Sequence, residues 1–259
     1  MIINVLGFGL MGKQIAALLY LTGCKVNLYS RKEIEEKDFL KQVKILKKRI
    51  STVTEGTVTF FNQISELPNC ITIESIIEDI KAKKQIYQDI RKNNNSLYFT
   101  NTSSYSPLEI ASDVLGLHFF NPINLGLIEA FLNDRQSDEI DNLIEKFKHL
   151  EYEVVNVDIN RGYIGNYILF HEISSALKLV EKFNYNVNQI NQVYSKLYDG
   201  RDIFFIIDLI GIDVVFKILN NLREEDETIY IPKILKMALD KNVLGRKNKT
   251  TIKSMINDI

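Results

Sequence analysis

The chain has 259 residues, enough for one large domain or two smaller ones with a sizeable core. Its 32 Lys and Arg nearly balance its 33 Asp and Glu, so no global charge draws it to nucleic acid or to a membrane surface. Cys24 and Cys70 are too few for a disulfide framework or a Cys-rich zinc site, and no leader or membrane-length apolar run stands out, so a reduced cytoplasmic setting with no bound metal is expected.

Residues 2–6 form a short apolar strand that runs into Gly7-Phe8-Gly9-Leu10-Met11-Gly12 and then into helical periodicity over 13–21. Gly-x-Gly-x-x-Gly between a strand and a helix suits a dinucleotide. Gly7 allows the tight turn, Gly9 lets the backbone approach a pyrophosphate, and Gly12 lets helix and strand pack closely. Leu10 and Met11 lie in the same loop and join the expected cofactor site. The helix N-terminus then offers unpaired N–H groups and the positive end of its dipole.

A second strand spans 25–29. Where an NAD site carries Asp or Glu for the adenosine ribose, this chain has Ser30-Arg31-Lys32. A hydroxyl and two cations suit a ribose 2′-phosphate, so NADP(H) is favoured over NAD(H). The competing reading is that Arg31 and Lys32 open a solvated helix and Ser30 bonds an ordinary ribose. A charged helix is expected over 39–50, with Lys41, Lys44 and Lys48 on one face. It reads as solvated, or as a contact for an anionic substrate handle. Further strands are expected at 58–61 and 70–73, the latter running directly into a helix across 73–83, and again at 97–100.

Residues 101–104 read Asn-Thr-Ser-Ser, and 116–122 read Gly-Leu-His-Phe-Phe-Asn-Pro. Asn-Pro disfavours helix, so His118 is placed at the end of a buried strand, where open α/β sheets gather their ligands. A core histidine satisfied by the backbone is the competing reading. His149, in a charged helix over 138–150, reads as solvated, and His171 as helix packing. A last strand spans 152–157. From 161 onward only helices are expected, over 162–183, 187–197, 203–222 and 231–239, the third apolar nearly all round and therefore buried.

In this order, behind the glycine fingerprint, Asn-Thr-Ser-Ser and Leu-His-Phe-Phe-Asn-Pro resemble the L-3-hydroxyacyl-CoA dehydrogenase family, with the 3-hydroxybutyryl-CoA dehydrogenases nearest in layout. The resemblance spans nearly the whole chain. It implies an α/β Rossmann-type dinucleotide-binding domain over 1–160, then an all-helical substrate and dimerisation domain over 161–259. It also implies hydride transfer between a nicotinamide and C3 of a 3-hydroxyacyl thioester. His118 would be the acid/base and Glu129 its carboxylate partner, one residue nearer than the family spacing. Ser103 and Asn166 would orient the substrate oxygen. Glu78, Lys83, Asn101 and Asn121 would lie at the cofactor. An imidazole is suited to move this proton near neutral pH, and a carboxylate on its other nitrogen holds the tautomer.

The chain departs from the family on the substrate side. The segment between the second and third strands is short, where the family has a helical arm beside CoA. That admits an acyl-carrier-protein thioester or a free hydroxy acid in place of CoA. Tyr167 stands where the family has Arg, Gly200-Arg201-Asp202 replaces a Gly-Pro turn, and the C-terminus lacks the family's Gly-Phe-Tyr ending. The family's homodimer through the C-terminal helices is expected here too. A reading of another class is a catalytically silent dinucleotide-binding protein, which the retained His118 and Glu129 disfavour.

Overall fold

The computed structural model describes residues 1–158 and 161–258. It forms two compact units, Met1–Tyr163 and Ile164–Ile259. The domain boundary expected between 160 and 161 touches residues 159 and 160, which lie outside the described residues.

The first unit alternates strands and helices: β1 (Ile2–Leu6), α1 (Leu10–Leu21), β2 (Lys25–Tyr29), α2 (Glu36–Lys47), β3 (Thr57–Phe61), β4 (Ile71–Glu74), α3 (Ile80–Ile90), β5 (Tyr98–Thr100), α4 (Pro107–Ile110), β6 (Val114–Phe119), β7 (Leu127–Phe131), α5 (Asp138–His149) and β8 (Glu153–Asn156). Its sheet runs β3-β2-β1-β4-β5-β6-β7-β8. All neighbours are parallel except β6 and β7. This is the doubly wound α/β arrangement, and strand order reverses between β1 and β4, where such sheets open a crevice at their carboxyl ends.

Side-chain alternation gives the sheet two different faces. Ile3, Val5, Ile73, Phe99, Leu115, Leu117, Phe119, Ile128 and Ala130 bury one face in the core that includes α1, Phe39 and Val43 of α2, and Phe147 of α5. The residues between them turn to the other face, where Tyr87 and Ile90 of α3 and Ile110 of α4 pack. That second face carries polar groups: Asn4, Thr72, Glu74, Thr100, His118 and Glu129 are all buried. Parallel strands covered on both sides normally read as near-continuous apolar runs, so a polar row here marks where the sheet serves more than packing.

Two elements differ from the sequence reading. Glu74 ends β4 and α3 begins only at Ile80, so strand and helix are separated by a loop. Asp79 caps α3 by accepting from Ala82 N. The segment 30–56 holds one helix, α2, and Phe39, Val43 and Leu46 tie it into the core; it is not a projecting arm.

The second unit consists of α6 (Tyr163–Phe183, whose first residue belongs to the first unit), α7 (Val187–Leu197), α8 (Ile203–Ile210), α9 (Ile212–Arg223), α10 (Lys233–Asp240) and α11 (Ile252–Asn257). The expected single helix over 203–222 is divided at Gly211, which has φ 98°, a left-handed backbone that ends one helix and starts the next. Its core gathers Phe170, Ile173, Leu177, Phe204, Ile207, Val215 and Leu235. Among the described residues no helix is long and apolar enough to cross a membrane.

Candidate active site

A cavity of about 1070 Å³ opens at the carboxyl ends of the first unit's strands. Gly7, Gly9, Leu10 and Met11 line it from the first loop, Ser30 and Arg31 from the end of β2, and Glu78, Asn101 and Ser103 from the loops after β4 and β5. Gly7 has φ 117°, and a Cβ there would lie 2.3 Å from the Ser75 carbonyl oxygen. At Gly9 a Cβ would meet nothing within 4 Å. Gly9 also caps α1 without a side-chain bond, so the first-turn N–H groups of that helix face the cavity. A tight glycine turn, open space above it and an uncapped helix N-terminus fit a pyrophosphate.

At the end of β2, Ser30 Oγ accepts from Lys32 N at 3.1 Å. Lys32, Glu33, Glu35 and Asp38 share the cavity wall with Arg31. Asp38 pairs with Lys13 at 2.9 Å, and Lys13, then the charges of Lys37 and Lys41, hold its carboxyl below the usual range. Asn101 braces three strand ends: its N donates to Glu74 O, its Oδ1 accepts from Phe119 N at 2.9 Å, and its Nδ2 donates to Ser75 Oγ.

His118 and Glu129 stand directly opposite one another in the antiparallel β6–β7 register. His118 Nδ1 lies 2.9 Å from Glu129 Oε2, and each side chain is 5 % exposed. The shortened segment reaches this register through a 3-10 turn, Ile123–Leu125, and a left-handed Gly126 with φ 76°. The turn is anchored where Ile123 N donates to Gln14 Oε1 and Ile123 O accepts from Tyr152 OH. With Nδ1 committed to Glu129, Nε2 is the nitrogen left for chemistry.

Two aromatic rings hold the imidazole plane. Tyr163 stacks on it with centroids 4.8 Å apart and planes 17° apart, and Phe120 leans on it at 4.8 Å. Among the described residues the buried Tyr163 hydroxyl has no hydrogen-bond partner. Burial, then the charges of Glu129 and Glu78, push that hydroxyl far up from its ordinary value. A Cβ at Gly116 would come 2.2 Å from the same oxygen, so the glycine makes room for the ring. Neither aromatic contact was legible in the sequence, although Phe120 lies two residues from His118, on the same side of an extended chain.

Glu78 and Lys83 occupy different layers. Glu78 lines the cavity, and its Oε1 accepts from Thr102 Oγ1, Ser103 N and Ser104 N at 2.5, 3.0 and 2.9 Å. Burial raises its carboxyl, but the charge of Lys83 and the bonds from Thr102, Lys83 and Ser103 outweigh burial and hold it below the usual range. Lys83 is 1 % exposed and lies behind Glu78 with its Nζ between two carboxylates, at 2.8 Å from Glu74 and 3.2 Å from Glu78. Asn121 is exposed just past β6. It and Lys83 are not among the residues lining the cavity.

Asn166 lies on the first turn of α6 in the second unit. His171 Nδ1 is 2.8 Å from Tyr167 O one turn earlier, and His149 is exposed on α5.

Two family models cover most of the chain: "3-hydroxyacyl-CoA dehydrogenase, NAD binding domain" matches residues 2–160, and "3-hydroxyacyl-CoA dehydrogenase, C-terminal domain" matches 162–254. A 3-hydroxybutyryl-CoA dehydrogenase of Clostridioides difficile is 29% identical over 273 residues, covering 95% of this chain and 96% of that protein. The mitochondrial hydroxyacyl-coenzyme A dehydrogenase of Sus scrofa is 26% identical over 257 residues, covering 86% and 80%. Among solved structures, M. tuberculosis FadB2 superposes with a TM-score of 0.85 at 25% identity, covering 96% of this chain and 97% of that one.

Proposed function

From the premise that the chain belongs to the 3-hydroxyacyl-CoA dehydrogenase family, we propose that it moves hydride between a nicotinamide cofactor and C3 of a 3-hydroxyacyl or 3-oxoacyl thioester. The observation that carries the proposal is the buried pair of His118 and Glu129, 2.9 Å apart.

Glu129 fixes Nδ1 as the protonated nitrogen and stabilises the imidazolium, so Nε2 takes the hydroxyl proton in oxidation and returns it to the carbonyl oxygen in reduction. Tyr163 and Phe120 keep the ring in one plane, so the proton is always exchanged at the same point. Ser103 would hold the substrate oxygen and polarise it, and the family resemblance gives Asn166 the same role. When bound, the nicotinamide supplies the hydride chemistry. Gly7, Gly9, Leu10, Met11 and Gly12 would hold its pyrophosphate, and Glu78, Asn101 and Asn121 its nicotinamide side.

The preference for NADP(H) is supported by Ser30, Arg31 and Lys32 at the end of β2 and weakened by Glu33 and Glu35 on the same wall. The short segment 30–56, with its single core helix, supports a carrier-protein thioester or a free hydroxy acid as a second reading. A homodimer is supported by exposed apolar residues on the second unit's helices, including Val193, Leu197, Phe205 and Leu209.

The test is reduced-nicotinamide absorbance with acetoacetyl-CoA, the carrier-protein thioester and free acetoacetate, each with NADH and NADPH. Turnover of a thioester supports the proposal. A folded protein that binds nucleotide and turns over none of the three would be the catalytically silent alternative.

A further inference from the structure

A closed ring of hydrogen bonds runs behind the cavity wall. Glu74 Oε1 accepts from Lys83 Nζ at 2.8 Å, and Lys83 Nζ also bridges to Glu78 Oε2 at 3.2 Å. Glu78 Oε1 accepts from Thr102 Oγ1. Thr102 N donates to Thr100 Oγ1, and Thr100 Oγ1 donates to Glu74 Oε2 at 2.7 Å, which closes the circuit. Every donor and acceptor in this ring has a consistent direction. The ring joins the end of β4, α3, the end of β5 and the loop that carries Ser103.

Its charges explain where the loop goes. Two carboxylates enclose one ammonium, leaving a net negative charge in a site where Glu74 is 0 % and Lys83 1 % exposed. A buried anion needs donors. Three backbone N–H groups supply them: Ile76 N to Glu74, and Ser103 N and Ser104 N to Glu78. Thr102 Oγ1 then accepts from Tyr105 N at 3.2 Å, so the loop is fixed from 102 to 105.

We propose that Lys83 is a positioning residue: held between Glu74 and Glu78, it fixes the Glu78 carboxylate as the anchor of residues 102–105 and so sets where Ser103 meets the substrate oxygen. The inference rests on the dehydrogenase reading for the role of Ser103. The anchoring itself stands without that reading. Lys83 acts from behind the wall, through Glu78, and is not among the residues lining the cavity.

Removing Lys83 leaves two buried carboxylates facing each other with no cation. Among the described residues, the hydroxyls of Tyr87, Tyr105 and Tyr163 also face the pair, with Asp79 beside Tyr105, and these four bring no positive charge. Burial then dominates at Glu78 and pushes its carboxyl up toward the protonated form. A protonated Glu78 is a weaker acceptor for three donors, and the loop loosens.

The experiment compares the full-length protein with Lys83→Met and with the isosteric Glu78→Gln. Amide hydrogen exchange is read at residues 102–105 and, as a control, over β1 and α1, at pH 6 and pH 9 in the presence of reduced nucleotide. We expect exchange in Lys83→Met to rise about tenfold at 102–105 at pH 6, to recover at pH 9, and to stay within about twofold over β1 and α1. Turnover should fall about 100-fold at pH 6 with part of the loss regained at pH 9, because a displaced Ser103 costs chemistry more than binding. Glu78→Gln should loosen the same loop without the recovery at pH 9, since an amide does not ionise. Unchanged exchange at 102–105 in both variants overturns the proposal, as does faster exchange spread evenly over the whole first unit. If the unmodified protein turns over no thioester, the dehydrogenase reading fails, and the exchange data still decide the anchoring.

Discussion

Glu129→Gln is the sharpest perturbation of the proton-handling pair. Gln keeps the volume and sits in the same antiparallel register opposite His118, so β6 and β7 should pair as before. The carboxylate charge is lost, and the amide nitrogen competes for the place of an acceptor. Both side chains are 5 % exposed, so water screens little of the change. Unit charges about 4 Å apart at an effective dielectric of about 20 interact by about 4 kcal/mol. In the proposed mechanism that interaction exists in full only while His118 holds the substrate's proton. A loss of about 4 kcal/mol from that state lowers kcat by about 10³-fold, about tenfold less than the roughly 10⁴-fold loss known when the acid of a His–acid pair is made neutral. The assay is kcat from reduced-nicotinamide absorbance with acetoacetyl-CoA, alongside nucleotide affinity from fluorescence. A kcat within about threefold of the unmodified protein would refute the reasoning, since it would mean that Glu129 neither fixes the tautomer nor stabilises the imidazolium.

Other outcomes follow from the same geometry. His118→Ala should abolish turnover and leave nucleotide affinity within about twofold; a broad loss of stability with turnover retained would mark His118 as a packing residue. Tyr163→Phe should be neutral or stabilising by about 1 kcal/mol, because it removes a buried hydroxyl without a partner, while Tyr163→Ala should cost about 3–5 kcal/mol by opening a cavity beneath the imidazole. Thermal melts report both. Arg31→Ala should reduce NADPH affinity about tenfold and NADH affinity little, and an equal effect on the two would end the 2′-phosphate reading. Glu78 and Glu109 are both held below the usual carboxylate range; burial opposes this at each, and Lys83 and Arg161 overcome it. A depressed folded pKa gives stability that is present above the unfolded value of about 4.3 and lost as pH falls through the folded value. The melting temperature should therefore hold down to about pH 5 and drop below it, and a melt that improves on acidification would contradict this sign.

What could be read from the sequence was what is encoded locally. Strand, glycine turn and helix follow one another within 20 residues, so the fingerprint at Gly7 to Gly12 declares its own structure. His118 was legible because Asn121-Pro122 ends its strand. Glu129 was nameable only through the family resemblance, and its reach depends on a turn at Ile123–Leu125 and on Gly126, which spacing alone does not reveal. Lys83 was harder. The family resemblance placed it at the cofactor, and only the tertiary structure shows it enclosed behind the cavity wall by Glu74, nine residues earlier. Tyr163 was hidden for the same reason: an aromatic at the start of a helix carries no signal of which strand it will cover. Gly211 was passed over because an apolar run on both sides of it reads as one buried helix, although its positive φ ends the first half.

The most direct test is transfer of label. Acetoacetyl-CoA is incubated with the protein and with reduced nicotinamide cofactor deuterated at C4 on one face at a time, and the product is weighed. Hydride transfer to C3 predicts 3-hydroxybutyryl-CoA carrying one deuterium at C3 from one of the two labelled faces. Acetoacetyl-CoA recovered unreduced with both cofactors, from a folded protein that binds nucleotide, would contradict it.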